Sequence, residues 1–121
     1  MALTSTTGTV DGSNVTFENT AQGSSKGEGI IAYVNYTKGA GDSDIVLTPW
    51  FNDEDVDANF YQQIYVDGDG LLQALTIQFS ATGKFRVPLA AARNESAVRL
   101  SVSGLVDGDL NIDFRIDNPF M

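Results

Sequence analysis

Between Ala97 and Asp117 the chain reads AVRLSVS, then GLVDG, then DLNIDFRID. In the second arm Leu110, Ile112, Phe114 and Ile116 fall on every second residue, and Asp109, Asn111, Asp113, Arg115 and Asp117 stand between them. Side chains of a strand point alternately to its two faces, so this arm has one apolar face and one wet face. Val98, Leu100 and Val102 repeat the pattern in the first arm against Arg99, Ser101 and Ser103. The linker holds two glycines and an aspartate, which tolerate the positive φ that a tight connection needs. The stretch therefore predicts a β-hairpin, and with it an all-β fold.

The rest of the chain has the same grain. NVTFE (14–18), GIIAYVNYT (29–37), DIVLTPWF (44–51) and FYQQIYV (60–66) are strand-like, separated by the turn-rich segments AQGSSKGEG and KGAGDS and by the acidic loop DEDVDAN. GIIAYVNYT has large residues on both faces and suits a central strand covered on two sides. Pro49 cannot donate to a ladder, so its strand should end there, bulge or sit at an edge. Leu75, Ile77 and Phe79, then Phe85, Val87 and Leu89, predict a second hairpin with Thr82 and Gly83 at its tip. AAARNES (90–96) has room for one helical turn. Nowhere do apolar residues recur at i, i+3, i+4 and i+7 over three turns. The expectation is one antiparallel β-sandwich, jelly-roll or immunoglobulin-like, of seven to eight strands spanning 14–121, preceded by an extended arm over 1–13.

Composition narrows the chemistry. The 121 residues contain no Cys and no His, which excludes disulfides, thiolate chemistry, Ser-His-Asp triads and His-ligated metals. Lys plus Arg number 7 against 16 Asp plus Glu, a net charge of -9 that repels a phosphate backbone and favours solubility. No basic-then-apolar leader and no transmembrane run is visible, so neither nucleic acid nor membrane is an expected partner. Asp53, Asp55, Asp57 and Asn59 alternate as in the first half of an EF-hand loop. Ala58, however, stands where that loop needs glycine, and Ile64 where it needs a bidentate glutamate. No constellation of catalytic groups emerges, and the chain is read as non-enzymatic, without cofactor or metal.

Two sets of residues stand out as contact candidates. Trp50 and Tyr61 flank the acidic loop and would form a stacking platform if this were a carbohydrate- or receptor-binding module. Leu3 and Val10 in the Thr-rich arm suit pairing along a neighbour's strand edge, and Phe120 and Met121 at the other end need cover from the chain itself or from a neighbour.

Taken together, IAYVNYTKGAGDSDIVLTPWF, LTIQFSATGKFRVPLAA and VRLSVSGLVDGDLNIDFRIDNPF resemble the small Cys-free β-sandwich virion proteins of tailed bacteriophages, the decoration and connector class. The resemblance runs from Ile30 onward and rests on the order of strands and turns. It implies a structural role, that of a capsid decoration protein. Its partners would be copies of itself and a major capsid or other virion protein, in a virion assembled in the host cytoplasm. A connector or tail position is the alternative within the same class.

Overall fold

The computed structural model describes residues 2–18, 29–53, 59–89 and 95–117. These hold twelve strands: β1 (Ala2–Ser5), β2 (Thr9–Asp11), β3 (Asn14–Glu18), β4 (Gly29–Thr37), β5 (Ile45–Asp53), β6 (Phe60–Gln62), β7 (Ile64–Val66), β8 (Leu72–Ala74), β9 (Ile77–Phe79), β10 (Gly83–Leu89), β11 (Glu95–Ser103) and β12 (Asp109–Asp117). No helix occurs among the described residues. The count exceeds the expected seven to eight because six of the strands are only three or four residues long. Of AAARNES, residues 90–94 lie outside the described residues, and Glu95 and Ser96 open β11.

The strands form a first sheet in the order β1-β12-β4-β10 and a second in the order β2-β3-β11-β5-β6. β9 also pairs with β5, and β7 and β8 make a separate two-stranded ribbon. The inward residues of both sheets join in one apolar cluster. Ala32, Val34, Tyr36, Leu110, Ile112 and Phe114 come from the first sheet, and Val15, Ile45, Leu47, Val98, Leu100 and Val102 from the second. Phe114 stacks on Phe17 across the gap with ring centroids 5.3 Å apart, and Tyr36 meets Phe79 edge-on at the same separation. The fold is thus all-β and sandwich-like. The expected core residues Leu100, Val102, Leu110, Ile112 and Phe114 are all buried, while the Ile116 side chain lies outside the described residues.

The expected hairpins do not form. β11 pairs with β3 and β5, whereas β12 pairs with β1 and β4, so the two arms of the terminal pattern lie in opposite sheets with their apolar faces toward each other. β9 and β10 are separated in the same way, since β9 joins β5 and β10 joins β4. Alternation specifies which face is buried and is silent about the partner, so two arms facing one core from opposite sides read like a hairpin. The observed pairing is nested about the middle of the chain. β7 pairs with β8, β5 with β9, β4 with β10 and β3 with β11, all antiparallel, and β1 closes the series against β12 in parallel.

Two local features explain departures from the simple strand reading. Pro49 is buried in mid-strand, opposite Leu100. Its carbonyl accepts from Gln63 N–H on the outer edge of β5, so its missing N–H falls on that same side, in the gap between β9 (paired to 45–47) and β6 (paired to 50–52). That bond also ends the segment FYQQIYV as one strand: β6 stays on β5, and β7 leaves for the ribbon. The segment expected as an arm for a neighbour pairs at home, β1 along β12 and β2 along β3.

Candidate functional site

Three links between the sheets gather at one end of the sandwich, at 38–44, 80–82 and 104–108. Asp42 fastens two of them. Its Oδ1 accepts the backbone N–H groups of Val106 (2.7 Å), Asp107 (3.0 Å) and Gly108 (3.1 Å), while Oδ2 accepts the Tyr36 hydroxyl (2.6 Å) and Gly39 N–H (2.9 Å). Asp107 answers by accepting Gly41 N–H at 2.9 Å. The third link is tied in by Lys38, whose N–H donates to the Thr82 hydroxyl and whose Nζ donates to the Ser80 carbonyl. The Tyr36 bond and then the backbone donors hold the Asp42 carboxyl far below its ordinary range. Burial, reinforced by Asp42, pushes the Tyr36 hydroxyl up to about 12. With five donors on two oxygens, Asp42 is a structural staple and has no free lone pair with which to take a proton from a substrate. Gly104 makes the crossover possible. It sits at φ 90°, where a Cβ would run into the Asp44 carbonyl oxygen.

The ribbon has the opposite character. In the ribbon and beside it Tyr61, Ile64, Tyr65, Val66, Leu71, Leu72 and Leu75 are exposed, Leu72 by 74% and Val66 by 63%; among the described residues the other large exposed apolar side chains are Val10, Tyr33 and Val106. Register places Ile64 opposite Ala74 and Val66 opposite Leu72, so one face of the ribbon is wholly apolar. Its tip is well made. Asp67 Oδ1 accepts Asp69 and Leu71 N–H, Oδ2 accepts Gln73 Nε2, and Gly70 takes φ 80°. These bonds, that of Leu71 foremost, lower the Asp67 carboxyl. Leu75 N–H donates to the Gln63 carbonyl at the open end. A hairpin this small is at best marginal in water by itself, and its apolar face has no cover from the sandwich.

The outer face of the first sheet carries a shallow depression of about 280 Å³. Tyr33, on the central strand β4, lies in it, 40% exposed, with Arg86 of β10 and Asp113 of β12 directly opposite on either side. The next row is Lys84, Asn35 and Asn111. β4 is central as expected, but only its inner face is covered.

The residues singled out by sequence are scattered. Phe51 pairs with Tyr61, so Tyr61 shares the inner side of the second sheet while Trp50 points outward with Gln62. The two rings lie on opposite faces and make no common platform; Trp50 is half-buried, and its Nε1 has no hydrogen-bond partner among the described residues. Leu3, aligned with Leu110, packs half-buried on the chain's own core, while Val10 is exposed on β2. Phe120 and Met121, like Asp55 and Asp57 of the acidic loop, lie outside the described residues. Among the described residues no group of three or more acidic side chains is placed to hold a metal, and no helix is long and apolar enough to cross a membrane. Sequence reasoning missed Asp42, whose donors Val106, Asp107 and Gly108 lie more than sixty residues away, and Tyr33, which looked like core. No protein family, curated protein or solved structure matches the chain.

Proposed function

We propose that the protein is a non-enzymatic virion component, a capsid decoration protein of the class its strand pattern resembles, which works by holding neighbouring subunits. The observation that carries this reading is the exposed apolar ribbon. The large side chains of its one apolar face, Ile64, Val66 and Leu72, leave on the order of 300 Å² in water, within the range of the largest patch on a monomer, which is often functional. From Tyr61 to Leu75 there is no Lys, Arg or Glu, and the two Asp residues sit at the turn. An uncharged patch is where two chains of net charge -9 can meet with least repulsion, so the occupant is a second copy of this chain. The finer architecture is proposed to be a jelly roll. In support, β1-β12-β4-β10 faces β3-β11-β5-β6 with strands nested about the chain's midpoint, as in a long hairpin rolled into two sheets, save for the parallel β1.

Two measurements test the reading. Sedimentation of the purified chain should show an oligomer that Val66→Asp and Leu72→Asp convert to monomer without lowering the melting temperature. Quantitative mass spectrometry of purified particles should find the protein at a constant ratio to the major capsid protein. A wild-type chain that stays monomeric at high concentration and is absent from particles would overturn the proposal.

A further inference from the structure

We propose that the outer face of the first sheet is a binding site for an acidic saccharide, a sugar bearing a carboxylate, with Tyr33 as the stacking ring and Arg86 and Lys84 as the anion contacts. The inference is independent of the ribbon, which lies elsewhere on the chain.

Three observations carry it. The first is the ring itself. An aromatic side chain 40% exposed at the centre of a sheet, away from any strand edge, presents a π face on which the C–H face of a pyranose can pack. The second is unbalanced charge in a chain rich in carboxylates. Lys84 and Arg86 have no ion-pair or hydrogen-bond partner among the described residues. Asp113, the acidic group in the depression, is already engaged. Arg115 Nη2 lies 2.9 Å and Nε 3.1 Å from its Oδ2, and the Thr7 hydroxyl donates to Oδ1 at 3.2 Å. The depression therefore has spare positive charge, and a guanidinium offers a carboxylate two parallel donors.

The third observation is spacing. Arg86, Tyr33 and Asp113 form one cross-strand row over β10, β4 and β12, spanning about 10 Å at normal strand separation, room for a sugar ring and its substituents. Asn35 and Asn111 stand in the row beside it as amides for hydroxyl groups. The Asn111 Nδ2 donates to the Thr4 hydroxyl at 2.9 Å, which leaves its carbonyl oxygen as the acceptor this amide can offer. A phosphate polymer would meet the field of the whole chain, whereas a single carboxylate on a mostly neutral sugar meets the local one.

The test is a glycan array carrying uronate, sialate and neutral oligosaccharides, followed by calorimetric titration of sialyllactose, which bears one carboxylate, against lactose as the neutral control. Carboxylate-bearing glycans should bind and neutral ones should not. Affinity should fall roughly tenfold or more in Tyr33→Ala and in Arg86→Ala, and it should weaken with added salt. Both variants lie on a solvent-facing surface and should keep the wild-type melt; Arg86→Lys, which retains charge without the planar fork, should bind with intermediate strength. Absence of glycan binding, or binding indifferent to both substitutions, would overturn the proposal. So would a change of oligomeric state in Arg86→Ala, because the face would then be receiving an acidic segment of another copy.

Discussion

Replacing Phe114 by alanine tests the central architectural claim, that β12 and β3 face each other across one core. Phe114 is 2% exposed and stacks on Phe17 of the opposite sheet, with 18° between the rings. Its in-register neighbour on β4 is Ala32, itself fully buried and too small to swell into a vacancy. The truncation should therefore cost about 3 to 5 kcal/mol, in the range of Phe→Ala in cores that relax little. For a domain of this size about 1 kcal/mol moves the melting temperature by ~4 °C, so the midpoint should drop by roughly 12 to 20 °C. Urea unfolding can be followed through Trp50, the single tryptophan. A double-mutant cycle of Phe17→Leu and Phe114→Leu should show a coupling of about 0.5 to 1.5 kcal/mol from the ring pair. A loss under about 1 kcal/mol with no coupling would mean that the sheets do not meet there.

Other outcomes follow from the same structure. The Asp42 carboxyl is lowered in the folded state, so its contribution is present above the ordinary carboxylate range and is lost as pH falls below about 4; melts from pH 7 to 2.5 should fall less steeply in Asp42→Asn. Tyr36 is raised to about 12, so its contribution holds below its ordinary value near 10 and is lost between there and 12; Tyr36→Phe should reduce the alkaline decline in melting temperature. Gly104→Ala, which strains a positive φ and presses on the Asp44 carbonyl, should cost about 1 to 3 kcal/mol in denaturant unfolding. Melts in EDTA and in millimolar calcium should coincide, and a calcium-dependent rise of several degrees would point to the acidic stretch around Asp53.

Burial was legible in the sequence because alternation is a property of one strand at a time. Leu100, Leu110 and Phe114 point inward as their spacing requires. Partnership was not, because it depends on where the chain crosses between sheets, and the crossings are set by contacts distant in sequence. The segment KGAGDS looks like any turn, yet its Asp42 organises the link at 104–108, and nothing near either segment announces the other. Val66 and Leu72 have the chemistry of core residues, and only the break at Gln63 puts them outside. Tyr33 fell on a strand apolar on both faces, a pattern that does not separate a covered ring from an open one.

The nested pairing also bears on how the chain is made. A ribosome releases the amino-terminal half first, and β3, β4 and β5 then wait for β11, β10 and β9, none of which has been synthesised. Until the ribbon turns the chain back, the hairpin β2–β3 and the pair β5–β6 are the ladders of the described strands that a nascent chain can close. The second sheet becomes whole only once β11 has emerged and the first only with β12, which also completes the outermost pair, β1 with β12. An emerging chain with so many unpaired edges is exposed to association with its neighbours, and the excess of carboxylates spread along it keeps such chains apart until the return strands arrive.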